Sequence, residues 1–169
     1  MKVLKKIFEK CMVIEPTVRE DLRGSMGIFY NGPDMKEVLG GFEITEQRYY
    51  KMPCKTFFGI HKGPGKLITL ASGKGIDYII DLRKDSDTYK QYITVELDGD
   101  KPEIVYIPAG FGHAFISLTD NTVQLFALDT KAPYENSRSI NYRSPGIDLK
   151  LPFEDALMAD YDRDAQMLE

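Results

Sequence analysis

Short β-type runs of apolar and polar residues recur along most of the chain and predict β-strands. In residues 91–97, Ile93, Val95 and Leu97 alternate with polar or aromatic residues, which is the period of a strand with one buried face. Further β-type runs occupy residues 66–73, 75–83, 103–110, 113–120 and 122–129. Glycine, proline and aspartate separate the runs, as expected for a sandwich or barrel of many short strands.

Turn and helix signals lie around these runs. The pair Asp98 and Gly99 predicts a tight hairpin, because this dipeptide supplies the positive φ angles that such turns require. Residues 153–167 follow a proline, carry acidic residues in their first turn and predict a short C-terminal helix. Residues 31–41 predict one more short helical turn. Helical periodicity is otherwise scarce, so the sequence predicts a mainly β fold.

Length and composition are those of an ordinary globular protein. The 169 residues suit one domain, which we expect to span residues 1–169. The net charge of −4 argues against nucleic acid as a bulk electrostatic partner. No apolar run reaches the length of a membrane span, so we expect neither nucleic acid nor a membrane among the partners.

Cysteine usage and the N-terminus favour the cytoplasm. Cys11 and Cys54 do not have the spacing of a metal site or a redox motif. Residues 1–11 contain only short apolar pieces interrupted by lysine and glutamate, unlike a secretory signal. We therefore expect a cytoplasmic protein.

The chain contains only two histidines, and both lie among glycine and apolar residues. His61 belongs to the segment TFFGIHKGPGKL, and His113 belongs to IPAGFGHAF. A single histidine in an apolar stretch is more often a satisfied core residue than a functional one. A metal site of three histidines is impossible with two, and we expect no metal and no cofactor.

Several segments, in this order along the chain, resemble the nucleotide-sugar 3,5-epimerases of the dTDP-4-dehydrorhamnose epimerase type. They are DLRG at 21–24, GIHKGPGKL at 59–67, DLRKDSDTY at 81–89, IPAGFGHAF at 107–115 and INYRSPGIDLKLP at 140–152. Each segment alone is weak, whereas their order and spacing together are specific. The resemblance implies a cupin-like double-stranded β-helix, or jelly roll, with a short C-terminal helical segment.

The resemblance also assigns roles to individual residues. His61 falls on the catalytic base of the family, and Lys66 falls near the lysine that faces the carbonyl of the sugar. Asp164 lies where the family has an aspartate that orients the base. His113 and Arg23 match substrate-binding positions, and the arginine of that family motif contacts the phosphates of the ligand.

The chain departs from the family pattern at functional positions. Phe58 stands where the family usually has arginine, and Glu46 and Arg48 replace uncharged polar residues. We count Glu46 and Arg48 as substrate-binding candidates, with Arg48 as the candidate for the missing charge. The catalytic tyrosine of the family aligns with Ala132. Tyr134 is two residues away and is our candidate for the acid, with water as the alternative.

The implied reaction is epimerisation at C3, C5 or both carbons of a nucleoside-diphosphate 4-keto-6-deoxyhexose, with dTDP as the expected nucleotide. A base removes the proton next to the ketone, a donor holds the enolate oxygen and an acid returns a proton on the other face. The alternatives are a keto-sugar isomerase and a sugar-nucleotide binding protein without turnover. The resemblance further implies a homodimer in which Arg23 serves the site of the neighbouring subunit.

Simpler explanations remain open for the charged candidates. Arg23 is also explained as half of a surface ion pair with a neighbouring carboxylate, which contributes little to stability. Lys66 is also explained as a surface lysine after a turn, and Arg48 as a charge on an outward strand face. Asp164 is also explained as a solvated helix residue.

Overall fold

The computed structural model describes residues 1–129 and 139–169, and β-strands form most of its regular structure. The strands are β1 (Lys2–Ile7), β2 (Cys11–Glu15), β3 (Val18–Asp21), β4 (Gly24–Gly27), β5 (Glu46–Met52), β6 (Phe57–Lys62), β7 (Lys66–Ser72), β8 (Lys74–Asp81), β9 (Tyr92–Asp98), β10 (Ile104–Ile107), β11 (Phe111–Ser117) and β12 (Thr122–Leu128). The helices are α1 (Gly32–Leu39) and α2 (Asp160–Arg163).

Two antiparallel sheets face each other across the main core. One has the strand order β1-β2-β10-β7-β12-β5, and the other has the order β6-β11-β8-β9. Ile68 from the first sheet packs in one cluster with Ile79 and Phe115 from the second. Two packed antiparallel sheets are the architecture expected of the predicted jelly roll. The remaining strands, β3 and β4, form a separate two-stranded sheet.

The strand predictions are confirmed, and the predicted tight turn forms, although it does not pair β9 with β10. All six predicted runs form strands, β7 to β12, and Val95 and Leu97 are buried as expected. The N–H of Lys101 donates a hydrogen bond to the carbonyl of Asp98 at 3.0 Å and closes the turn, but β9 and β10 belong to different sheets and neither Asp98 nor Gly99 has a positive φ. Glycine is needed for close packing instead, since a Cβ on Gly99 would lie 2.6 Å from the Cα of Ser72.

Helix α1 covers the outer face of the larger sheet. It begins with a proline in its first turn and ends at Gly40, whose φ of 64° is the left-handed conformation that favours glycine. Met35 and Leu39, four residues apart, are buried on one side of the helix. They pack against Leu67 of β7, so the helical turn predicted near Asn31 is confirmed.

The C-terminal helix is much shorter than the predicted range of residues 153–167. Only α2, with four residues, is helical there. Leu157 instead accepts a backbone hydrogen bond from Phe57 at 2.7 Å and donates one to Lys55 at 2.9 Å. These residues flank and begin β6, which is an edge strand, so the extended segment covers an otherwise unpaired edge.

Candidate active site

A bulge in β6 places two ring side chains on the same face of the strand. His61 lies directly opposite His113 on β11, whereas Phe58 lies opposite Phe115, so β6 contains one extra residue between these pairs. In a regular strand, residues three apart point to opposite faces. Gly59 occupies the bulge with a φ of 115°, and a Cβ there would lie 2.6 Å from the carbonyl oxygen of His113. The glycine thereby lets Phe58 and His61 stack on each other.

A buried carboxylate holds the imidazole of His61. Its Nε2 lies 2.7 Å from Oδ1 of Asp162, whose side chain is fully buried, while 31% of the His61 side chain is exposed. The hydroxyl of Ser139 donates a second hydrogen bond to the same carboxylate oxygen at 3.2 Å. Backbone hydrogen bonds between Ile60 and Ile140 attach the segment that carries Ser139 to β6. An imidazole tied through Nε2 presents Nδ1 to a ligand.

The assignment of Asp164 as the partner of His61 is wrong. Asp164 is exposed at the end of α2, and Asp162 occupies the expected place. Residues four apart share a face of a helix, so Asp160 and Asp164 point together and Asp162 points to the other side. Helical periodicity therefore places Asp162 on a different side of α2 from the other two aspartates. Only the packing of α2 against β6 decides that the side with Asp162 faces His61.

His113 forms a second histidine–aspartate pair, which is more deeply buried. Its Nε2 lies 2.5 Å from Oδ1 of Asp77, and both side chains are almost inaccessible to solvent. Burial lowers the pKa of His113 below that of an exposed histidine, and the nearby charge of Lys66 acts in the same direction. Asp77, which opposes this shift, was missed in the sequence because β8 reads as a plain apolar strand.

Lys66 is a buried lysine at the start of β7, so its interpretation as a surface residue is wrong. Burial of its ammonium group lowers the pKa of Lys66 to about 8. The charge of Arg48 lowers this pKa further, whereas Asp77 and Asp129 act in the opposite direction. Lys66 and Asp77 therefore lie close enough to influence each other, which links this lysine to the His113 pair.

Glu46 and Arg48 form an ion pair on β5, each with 26% of its side chain exposed. Arg48 lies directly opposite Phe126 in the pairing of β5 with β12. Side chains that are directly opposite in an antiparallel pair share a face, and the ring of Phe126 contacts His113 in the interior. Arg48 therefore points toward the site, and its interpretation as an outward-facing charge is wrong.

Aromatic rings form the inner wall between the two histidines. Phe58, which replaces the usual arginine of the family, is 8% exposed and contacts both His61 and His113, with ring centroids 5.9 Å and 5.7 Å away. The same ring contacts Tyr50 and Phe126. Where the family motif has a cation, this chain has an apolar surface.

Arg23 lies apart from this group in the single chain. It occupies the turn between β3 and β4, its side chain is 83% exposed, and its guanidinium lies 2.6 Å from Asp21. This geometry matches the simple surface pair. Tyr134 and Ala132, the other positions singled out by the family motif, lie outside the described residues.

Within residues 1–129 and 139–169, no three side chains of histidine, cysteine, aspartate or glutamate converge in a way suited to a metal ion. The same ranges contain no helix with the length and apolar character needed to cross a bilayer.

The chain is similar to known proteins in both sequence and structure. A family model described as dTDP-4-dehydrorhamnose 3,5-epimerase matches residues 5–169. The dTDP-4-dehydrorhamnose 3,5-epimerase of Salmonella typhimurium is 27% identical over 159 residues, which cover 90% of this chain and 87% of that protein.

Two solved structures match nearly the whole chain. The dTDP-4-dehydrorhamnose 3,5-epimerase of Bacillus anthracis, with TDP and PPi bound, has a TM-score of 0.90, 27% identity and 99% coverage of both chains. A 3'-monoepimerase of Streptomyces bikiniensis, in complex with dTDP-quinovose, has a TM-score of 0.87 and 26% identity, and covers 99% of this chain and 87% of its own. The match confirms the predicted mainly β, cupin-like fold.

Proposed function

Since this chain belongs to the dTDP-4-dehydrorhamnose 3,5-epimerase family and is a nucleotide-sugar epimerase, we propose that His61 is the base of its reaction. The observation that carries this proposal is the contact between Nε2 of His61 and the buried carboxylate of Asp162. The His61 side chain itself remains 31% exposed and can reach a substrate. An imidazole suits this task because a neutral ring nitrogen accepts a proton near neutral pH. The proton comes from C3, C5 or both carbons of a 4-keto-6-deoxyhexose.

Asp162 supports the base in both of its states. Accepting the Nε2–H of His61 fixes the tautomer in which Nδ1 is free to take a proton. After the transfer, the same carboxylate stabilises the imidazolium. Ser139 holds the carboxylate in place through its hydroxyl. Asp162 therefore takes the role that the sequence motif assigned to Asp164.

Lys66 stabilises the negative charge that develops on the ketone oxygen. Its ammonium group is desolvated in the interior, where a positioned cation interacts strongly with an enolate. His113 lies near this lysine as a substrate-binding candidate, with the orientation of its ring set by Asp77. Returning a proton to the opposite face of the carbanion completes the epimerisation, and Tyr134 and water are the two candidates for its source.

Arginines suit the diphosphate, because a guanidinium binds phosphate oxygens through two parallel hydrogen bonds. Arg48 faces the site beside Glu46. Arg23 reaches a site only in a homodimer, in which the β3–β4 hairpin extends to a second copy of this chain. Every residue from 17 to 27 is exposed, and Leu22 at the tip is fully exposed, which supports a role for this hairpin between subunits.

The proposal also covers the nucleotide of the substrate, the domain organisation and the cellular location. TDP and dTDP-sugars occupy the related structures, so a dTDP-sugar is the substrate that we propose. We propose that residues 1–169 act as one cupin-like domain. Cys11 and Cys54 are free thiols, as expected for the reducing cytoplasm in which we place this enzyme.

Deuterium exchange tests the proposal. The chain is incubated with dTDP-4-keto-6-deoxyglucose in heavy water, and proton NMR follows the loss of the C3 and C5 protons. We expect exchange at one or both carbons in the wild type and none in His61→Asn. Persistence of the exchange in His61→Asn would refute the assignment of the base.

Other outcomes of the same experiment identify the alternatives. A product whose ketone has moved from C4 to C3, seen in the carbon-13 spectrum, indicates a keto-sugar isomerase. Binding of the nucleotide sugar without any exchange indicates a protein that binds but does not turn over. A loss of stereochemical control in Tyr134→Phe would identify this tyrosine as the proton donor, and unchanged control would leave water.

A further inference from the structure

Three near-parallel rings follow one another at the candidate base, with His61 as the member that contacts both others. The ring of Phe58 has its centroid 5.9 Å from that of His61, with an angle of 18° between the planes. The ring of Tyr161 has its centroid 6.2 Å from that of His61, with an angle of 26°. Phe58 is buried in the core, whereas Tyr161 on α2 is 45% exposed. Offset, near-parallel rings at these distances attract each other.

The hydrogen bond to Asp162 does not by itself fix the plane of the imidazole. A bond through one nitrogen acts as a pivot, and the ring can still turn about it. Rings that lie alongside the imidazole restrict this rotation, because turning the plane would bring its edge into them. Tyr161 and Asp162 are consecutive residues of α2, so one helical turn delivers both constraints to His61.

We infer that Tyr161 is a positioning residue that, together with Phe58, sets the plane of the His61 imidazole for proton abstraction. The inference rests on the proposed role of His61 as the base. It assigns the function to the aromatic ring of Tyr161 and not to its hydroxyl. The faces of aromatic rings carry negative electrostatic potential, so they also favour the imidazolium that forms when His61 takes the proton.

Two substitutions at one position separate the ring from the hydroxyl. Tyr161→Leu removes the ring, and we expect kcat to fall by about tenfold to a hundredfold with KM nearly unchanged, since small misplacements of reacting groups are costly. Tyr161→Phe keeps the ring and is expected to retain the wild-type kcat. Tyr49→Leu is the matched control, because Tyr49 is an exposed tyrosine on β5, in the sheet that does not contain His61. It is expected to leave kcat unchanged.

NMR gives a readout that a general loss of stability would not reproduce. The chain has only two histidines, so His61→Asn assigns the imidazole C–H resonances of each. We expect Tyr161→Leu to shift the resonances of His61, which lose a neighbouring ring, while those of buried His113 stay in place. Unshifted His61 resonances would overturn the stacking of the two side chains in solution.

Rate measurements distinguish failure of this inference from failure of the proposed function. Wild-type kcat in Tyr161→Leu, or an equal loss in Tyr161→Phe, would overturn the inference while leaving His61 as the base. Wild-type kcat in His61→Asn would instead remove the proposed function. The thermal midpoint of each variant is measured alongside, and a fall in kcat counts only where the variant is fully folded at the assay temperature.

Discussion

Nε2 of His61 lies 2.7 Å from Oδ1 of Asp162, although 101 residues separate the two along the chain. The contact joins a residue of the edge strand β6 to a four-residue helix near the C-terminus. It combines an accessible imidazole with a carboxylate that has no solvent exposure. This pair is the chemical centre of the proposed site.

Asp162→Asn tests the importance of the carboxylate. We expect kcat to fall by between about a hundredfold and ten thousandfold, because an amide does not stabilise the imidazolium and can hold the wrong tautomer. Steady-state kinetics on the dTDP-sugar measures the effect. Asp164→Asn is the matched control and is expected to keep wild-type kcat, since Asp164 is exposed. A larger loss in Asp164→Asn than in Asp162→Asn would restore the original assignment.

Ser139→Ala tests the second hydrogen bond to Asp162. The hydroxyl lies 3.2 Å from the same oxygen that His61 contacts, so its loss leaves the carboxylate freer to turn. We expect stability to fall by about 1 kcal/mol, the usual net contribution of one hydrogen bond, and kcat to fall less than in Asp162→Asn. Denaturant unfolding and steady-state kinetics check the two effects, and a loss as large as that of Asp162→Asn would contradict this ordering.

Lys66 predicts an alkaline limit to activity. Because burial lowers its pKa to about 8, the ammonium that we propose to stabilise the enolate is lost as the pH rises through that value. We expect kcat to fall above a midpoint near pH 8 in the wild type. Lys66→Arg keeps its charge far beyond this range, so its profile should lack that limb. A limb that stays in place in Lys66→Arg would assign it to another group.

The same lysine predicts how stability depends on pH. The pKa of Lys66 is about 8 in the native state and 10.5 as the reference for an exposed lysine, so the unfolded chain binds the proton more tightly between these values. The free energy of unfolding should therefore rise as the pH increases through this window. At neutral pH the buried charge is destabilising, and Lys66→Met is expected to unfold at a higher denaturant concentration than the wild type. A lower midpoint would contradict this.

The lowered pKa of His113 predicts how stability changes at acidic pH. Burial lowers its pKa, so the native chain keeps it neutral at a pH where the unfolded chain is already protonated. Stability is therefore complete above the pKa of an exposed histidine, about 6.5, and is lost as the pH falls through the lower native value. Unfolding followed from about pH 7 down to about pH 5.5 should show a shallower loss in His113→Asn than in the wild type. Equal slopes would contradict burial of a neutral ring.

We expect the substitution Arg23→Ala to weaken nucleotide binding without affecting stability. The side chain of Arg23 is 83% exposed and pairs only weakly, in energetic terms, with Asp21, so Arg23→Ala should leave the thermal midpoint unchanged. We expect Kd for dTDP, measured by calorimetry, to rise by about tenfold, because one charge-assisted contact is lost. Light scattering should show a dimer for both proteins. A monomeric wild type with unchanged Kd in Arg23→Ala would remove Arg23 from the site.

The local sequence pattern was sufficient to predict those features that depend on neighbouring residues. The β-type runs in residues 66–129 predicted β7 to β12, and in β9 the burial of one face appears directly in the period of the side chains. The two histidine motifs identified His61 and His113, which the structure places opposite each other.

Tertiary packing decided what depends on contacts between distant segments. A bulge at Gly59, needed because β11 passes too close for any side chain, put Phe58 and His61 on one face against the period of a strand. Pairing of Leu157 with the edge of β6 replaced most of the predicted C-terminal helix. The sequence by itself determined strands β7 to β12, the family and the candidate base, whereas the position of α2 selected Asp162 over Asp164. Three aspartates of one acidic segment are chemically alike, and only the surface against which the helix packs makes one of them a partner of His61.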